Sequence, residues 1–188
     1  MSIKYCNQCG HQVEYQQPEG DDKLRAVCQN CFYVQYENPL IVTGCIIEHE
    51  GRILLGKRTI EPRKNCWNVP AGFLENGEST LDGAIREVKE EVLAEVKNIE
   101  LFGVYSIVQR SQVHIYFRAQ LDSPDFGAGA ETSETHLFLP DDIPWDNLAF
   151  PVNITALKRY VKEMKTGEFT IQEEDILIDY DMLRQFDR

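Results

Sequence analysis

The chain has 188 residues, 43% of them hydrophobic, and a net charge of −12. That is enough for one solid core with a small satellite domain. The acidity opposes general attraction to nucleic acid, and any phosphate-bearing partner needs something positive, metal ions first of all, to mediate its binding. Neither a signal pattern nor a bilayer-length apolar run is visible, so a cytoplasmic protein with no membrane partner is expected.

The first motif is cysteine-based. "YCNQCG" and "AVCQNCF" place Cys6-x2-Cys9 and Cys28-x2-Cys31 with 18 residues between the pairs. This is the spacing of a tetrahedral four-thiolate zinc site. A segment this short buries too little to fold alone, so Zn²⁺ is expected to supply its folding energy. Four thiolates leave no open position for water, which makes the ion structural. The segment between the pairs is acidic, against a nucleic-acid role for the ribbon. Cys45, in the apolar "IVTGCII", reads as a small buried hydrophobe.

"NPLIVTGCIIEHEGRILLGKR" reads as two strands joined at Glu50-Gly51, rich in Val, Ile and Leu. "RTIEPRKNCW" and "WNVPAGFLENGEST" read as loops, punctuated by Pro and Gly. A helix is expected from Ser79, capped weakly with Asp82, with Leu81, Ala84, Ile85, Val88 and Val92 as its buried stripe. On this helix Glu87, Glu90 and Glu91 share one side. The Glu87–Glu91 pair repels by roughly 0.2–0.5 kcal/mol, and the helix dipole disfavours anions so near the C-terminus. Lys89 lies on another face. Such crowding is either a solvated acidic face or a site for a hard divalent cation, Mg²⁺ or Mn²⁺.

Together with the loop before it, this stretch resembles the Nudix box, G-x5-E-x7-R-E-U-x-E-E-x-G-U, with U a bulky aliphatic. It runs Gly72-x5-Glu78-x7-Arg86-Glu87-Val88-x-Glu90-Glu91. Leu93 stands where the pattern has Gly and Ala94 where it has U. Without that C-cap glycine the helix is expected to run on towards Asn98. The resemblance implies an α+β fold, a mixed sheet sandwiched between helices, behind the small zinc ribbon. It implies Mg²⁺- or Mn²⁺-dependent attack of water on a nucleoside diphosphate linked to another moiety. It carries over Gly72 (through its carbonyl), Glu87, Glu90 and Glu91 as metal ligands, and Glu78 and Arg86 as the ion pair fixing loop to helix. Glu90 and Glu91 also count among the catalytic residues.

A ribbon ahead of such a domain is similar to two groups, the zinc-ribbon NADH pyrophosphatases and a plant and bacterial group acting on FAD and ADP-ribose. The first carries S-Q-P-W-P-F-P-x-S after the box. Here the comparable "LFGVYSIVQRSQVHIYF" has neither Pro nor Trp, so the second group is the better match. Cleavage of FAD or ADP-ribose to AMP plus FMN or ribose 5-phosphate is the expectation. NAD(H) or NAD-capped RNA is the enzymatic rival, and a nucleotide-sensing regulator the rival without catalysis.

Further along, "QVHIYFRAQL" alternates as a strand, with His114 structural. "FGAGAETSE" reads as a flexible loop delivering Glu131 and Glu134, either solvated or, by resemblance, supplying a base or further ligand, with Glu134 slightly favoured. Arg58 is a phosphate contact or a surface charge. Phe73 and Tyr105 are stacking partners for a base or flavin, or core residues. "VNITALKRYVKEMKTG" reads as an amphipathic helix ended by Gly167. The expected division is 1–36 ribbon, 37–166 Nudix domain and 167–188 tail, with a strand over Ile176–Tyr180 that is a candidate homodimer contact.

Overall fold

The computed structural model describes residues 3–178 and divides into two compact units, one ending at Asn38 and one beginning at Pro39. In the first unit β1 (Val13–Gln16), β2 (Arg25–Cys28) and β3 (Val34–Gln35) form an antiparallel sheet in that order. Gly10 takes φ +74° just after the first cysteine pair, the left-handed turn that lets the chain double back.

The second unit is built on a mixed sheet. Its strands are β4 (Leu40–His49), β5 (Arg52–Arg58), β6 (Trp67–Asn68), β7 (Ala71–Phe73), β8 (Val96–Ile107), β9 (Gln112–Leu121), β10 (Thr132–Phe138) and β11 (Gln172–Asp175). The order is β10-β5-β4-β9-β8-β11, with β6 on β5 and β7 on β4. The β4–β9 and β8–β11 pairs are parallel and the others antiparallel. β4 and β5 meet in a tight turn at Glu50-Gly51, both with positive φ, as a two-residue hairpin requires.

The helices α1 (Thr80–Val92) and α2 (Pro151–Met164) cover two separate cores. Cys45, Ile47, Leu54, Ala84, Val88 and Val92 belong to one core, and Ile46, Ile53, Leu55, Tyr116, Val152 and Leu157 to the other. Ile46 beside Ile47, and Leu54 beside Leu55, show the period-2 alternation that sends neighbours to opposite faces. Burial raises the Cys45 thiol well above its ordinary range.

The segment expected to be one loop, 67–80, contains β6 and β7, short strands paired with β5 and β4. The helix does not run towards Asn98. It stops at Val92, and Leu93 itself adopts the left-handed C-cap, φ 48° and ψ 36°. The Gly127 N–H donates to Val92 O (2.8 Å) and the Gly129 N–H to Glu91 O (3.0 Å), so loop 127–129 satisfies carbonyls that another turn would have used. The buried stripe is also rotated: Gly83 and Glu87 are buried, and Leu81 is exposed. The late strand is Gln172–Asp175, ahead of the expected one. Ile176 and Ile178 are buried in this chain's own core, and Tyr180 lies outside the described residues.

Candidate active site

The Ser79 side chain accepts the Asp82 N–H at 3.1 Å and opens α1 as a helix N-cap. Two turns on, Arg86 spends its whole fork locally. Nε and Nη2 bond the two Glu78 oxygens (3.1 and 2.8 Å), Nη2 also bonds Phe73 O (3.1 Å), and Nη1 bonds Glu87 (2.7 Å) and Glu90 (3.0 Å). The Glu78 carboxyl is held down to about 2, chiefly by Arg86, and the guanidinium is raised in turn. Arg86 thus relieves part of the carboxylate crowding, while Lys89 pairs with Glu95 at 3.2 Å.

Glu87 lies against Gly72. A Cβ added there would sit 2.3–2.6 Å from the Glu87 carboxyl group, so only glycine admits this buried acid. Burial raises the Glu87 carboxyl above its ordinary range despite Arg86. Glu91 is pushed up to about 8 by burial, and its one hydrogen bond among the described residues is from the Ala71 N–H, at 3.0 Å. Hard oxygen donors that are buried, mutually repelling and only partly neutralised fit a hard divalent cation.

These acids line one cavity of about 730 Å³. Glu87, Glu90, Glu91 and Glu131 contribute to its wall, as do Arg58, Asn68, Gly72, Phe73, His114 and Ile178. Arg58 stacks on the Phe150 ring at 5.2 Å and bonds Pro62 O through Nε (3.1 Å). Phe73 is 54% exposed at the cavity edge. His114 is buried, with Nε2 3.2 Å from Gln112 Oε1, and burial pushes it down to about 4.

Two of the candidate catalytic and substrate-contacting residues lie off the cavity wall. Tyr105, on β8, is wholly buried against Tyr116 in the core that α2 covers and does not line the cavity. Glu134 is inside β10 rather than in the loop. It is drawn to Lys57 at 2.6 Å and is absent from the cavity wall, which Glu131 joins. Sequence reasoning missed Asn68, buried on this wall inside a segment read as loop.

In the ribbon the four cysteine Sγ atoms lie within 4.8 Å of one another, the one such cluster of candidate metal ligands among the described residues. Cys6–Cys31, Cys9–Cys28 and Cys9–Cys31 approach to 3.7, 3.4 and 3.5 Å. Cys28 Sγ accepts N–H bonds from Cys31 and Asn30, both at 3.4 Å, which favours its thiolate. The donor set and its closeness fit tetrahedral Zn²⁺.

A mixed sheet between two helices, with an acid-bearing helix opening on a cavity, defines a Nudix-type α/β/α sandwich. Residues 38–160 match the NUDIX domain family and residues 4–37 the Nudix N-terminal zinc-ribbon family, and the chain belongs to the Nudix hydrolases. It is 34% identical over 122 residues to an ADP-ribose pyrophosphatase of Methanocaldococcus jannaschii, covering 63% of this chain and 71% of that protein. It is 31% identical over 150 residues to an NAD-capped RNA hydrolase NudC of Vibrio parahaemolyticus, covering 77% of this chain and 54% of that one. Among solved structures, a NUDIX hydrolase from Nitrosomonas europaea superposes with a TM-score of 0.86 at 43% identity, covering 93% of this chain and 100% of that chain. Among the described residues, no helix is long and apolar enough to cross a membrane.

Proposed function

We propose that the protein is a divalent-metal-dependent pyrophosphohydrolase that cleaves ADP-ribose or FAD. Water adds across the P–O–P anhydride, giving AMP plus ribose 5-phosphate or FMN. The observation that carries this reading is one cavity with Glu87, Glu90 and Glu91 on its wall and Arg58 on the same wall to meet phosphate charge.

Glu87, Glu90, Glu91 and the Gly72 carbonyl would hold Mg²⁺ or Mn²⁺, which neutralises the diphosphate and acidifies water. Arg86 and Glu78 fix the loop and helix that carry these groups. Glu131, on the cavity wall, is assigned as the acid that takes the proton from the attacking water, in preference to Glu134. Arg58, steadied by Phe150 and Pro62 O, meets a phosphoryl oxygen. Phe73, exposed at the edge, offers a face for the base or flavin. The ribbon holds its Zn²⁺ through Cys6, Cys9, Cys28 and Cys31 as a structural ion.

A second reading, hydrolysis of NADH or NAD-capped RNA, is favoured by the NudC relatives. The test is kcat/KM for ADP-ribose, FAD, NADH and a nucleoside triphosphate with each metal. ADP-ribose or FAD is expected to lead, and a clear excess for NADH reverses the order. No turnover of any of the four removes the proposal.

A further inference from the structure

Three buried polar side chains from three elements form one chain of hydrogen bonds. The Tyr116 hydroxyl on β9 donates to Asn153 Oδ1 on α2 at 2.7 Å. Asn153 Nδ2 donates to Asn68 Oδ1 on β6 at 2.6 Å. Tyr116, Asn153 and Asn68 are 1%, 0% and 4% exposed. Buried polar groups of this kind are almost always paired, and here each link fixes the orientation of the next amide. The chain ends at Asn68. Its Oδ1 accepts from Asn153, and its Nδ2 has no hydrogen-bond partner among the described residues, although the side chain lines the catalytic cavity.

The surroundings suit an acceptor. Arg58 lies two residues along β5 from Gly56, the partner of Asn68 in the β5–β6 pair. The first turn of α2, through Phe150, Pro151 and Val152, lines the same cavity. The positive end of a 14-residue helix dipole therefore lies beside the two donors.

We infer that Asn68 is a substrate-positioning residue whose Nδ2 donates to an acceptor atom of the bound nucleotide, with Asn153 and Tyr116 holding the amide in the donating orientation. Through Nδ2 it recognises a phosphoryl or ribose oxygen or a bare ring nitrogen. The inference deepens the proposed function and takes from it the identity of the nucleotide.

The test uses the full chain with Mg²⁺ and whichever of ADP-ribose, FAD or NADH the wild type cleaves fastest, alongside calorimetric binding of AMP. Asn68→Ala should raise KM and the AMP Kd roughly 3- to 10-fold, the loss of one neutral hydrogen bond, and leave kcat within about twofold. Asn68→Ser, which keeps a donor, should recover part of the loss. Asn153→Asp does not touch the cavity. Its carboxylate accepts from both neighbours, so the Asn68 amide turns over and KM rises as in Asn68→Ala. Unchanged KM and AMP affinity in Asn68→Ala, or wild-type KM in a folded Asn153→Asp, overturns the inference. A fall in kcat at constant KM overturns it too. If the wild type cleaves none of the three yet binds AMP, the proposed function fails and the Kd comparison still decides on Asn68. A wild type that neither cleaves any of the three nor binds AMP overturns both.

Discussion

Two acids three residues apart, Glu131 just before β10 and Glu134 within it, have different environments. Glu131 lines the cavity, and Glu134 is tied to Lys57 on β5. Glu131→Gln is expected to lower kcat on the order of 10²–10⁴-fold, the usual contribution of a positioned base, with Glu134→Gln close to wild type. Steady-state kinetics with the two variants side by side check this, and the reverse pattern would return the role to Glu134. Gly72→Ala pushes a methyl group into the space of the Glu87 carboxylate. It should lower kcat while the melting temperature moves little, and an active Gly72→Ala enzyme would show that Glu87 need not sit where it does. The sequence reveals the crowded glutamates because their spacing violates helix electrostatics. It does not reveal Asn68 or the fate of Tyr105, since residue type alone does not say which face of its strand a residue takes.

At the scale of elements, the end of α1 was the least legible part. Absence of the usual glycine pointed to a longer helix, yet Leu93 takes the left-handed cap itself and loop 127–129 closes the end from a distance in sequence. Capping from so far along the chain leaves no local signal. The same contact anchors the loop that carries Glu131. A Cβ on Gly129 would come within 1.7 Å of Glu90 O, so Gly129→Ala must lift the loop from the helix. Reduced kcat together with a loss of about 1–3 kcal/mol in stability is expected, by overpacking against backbone. Denaturant unfolding plus kinetics would show both, and an effect on stability alone would separate the loop anchor from catalysis. The ribbon, by contrast, is written plainly in its two cysteine pairs. Cys28→Ser should lower zinc content and melt β1–β3 while the Nudix unit stays folded, seen by metal analysis and amide exchange.

For the whole molecule, the sheet divides two cores, and β4 and β5, unbroken apolar runs in the sequence, are buried on both faces between them. Charge effects were less legible. His114 is neutral in the folded chain because burial pushes it down to about 4, whereas unfolded it titrates near 6.5. Between these values the unfolded chain binds the extra proton, so the contribution of His114 to stability is intact above 6.5 and is lost as pH falls towards 4. The full loss amounts to about 3 kcal/mol. His114→Gln should flatten this part of the stability curve in urea titrations from pH 7 to about 4.5. An unchanged slope would mean that the ring is not held neutral.

The guanidinium of Arg86 has five N–H groups, and Glu78, Glu87, Glu90 and Phe73 O occupy all of them. Nothing remains with which it could discriminate among incoming molecules. Arg86→Lys should therefore depress turnover of every compound by the same factor, leaving the rank order of preference untouched, and a reshuffled preference profile would reveal that one of those five bonds is surrendered when the cavity fills.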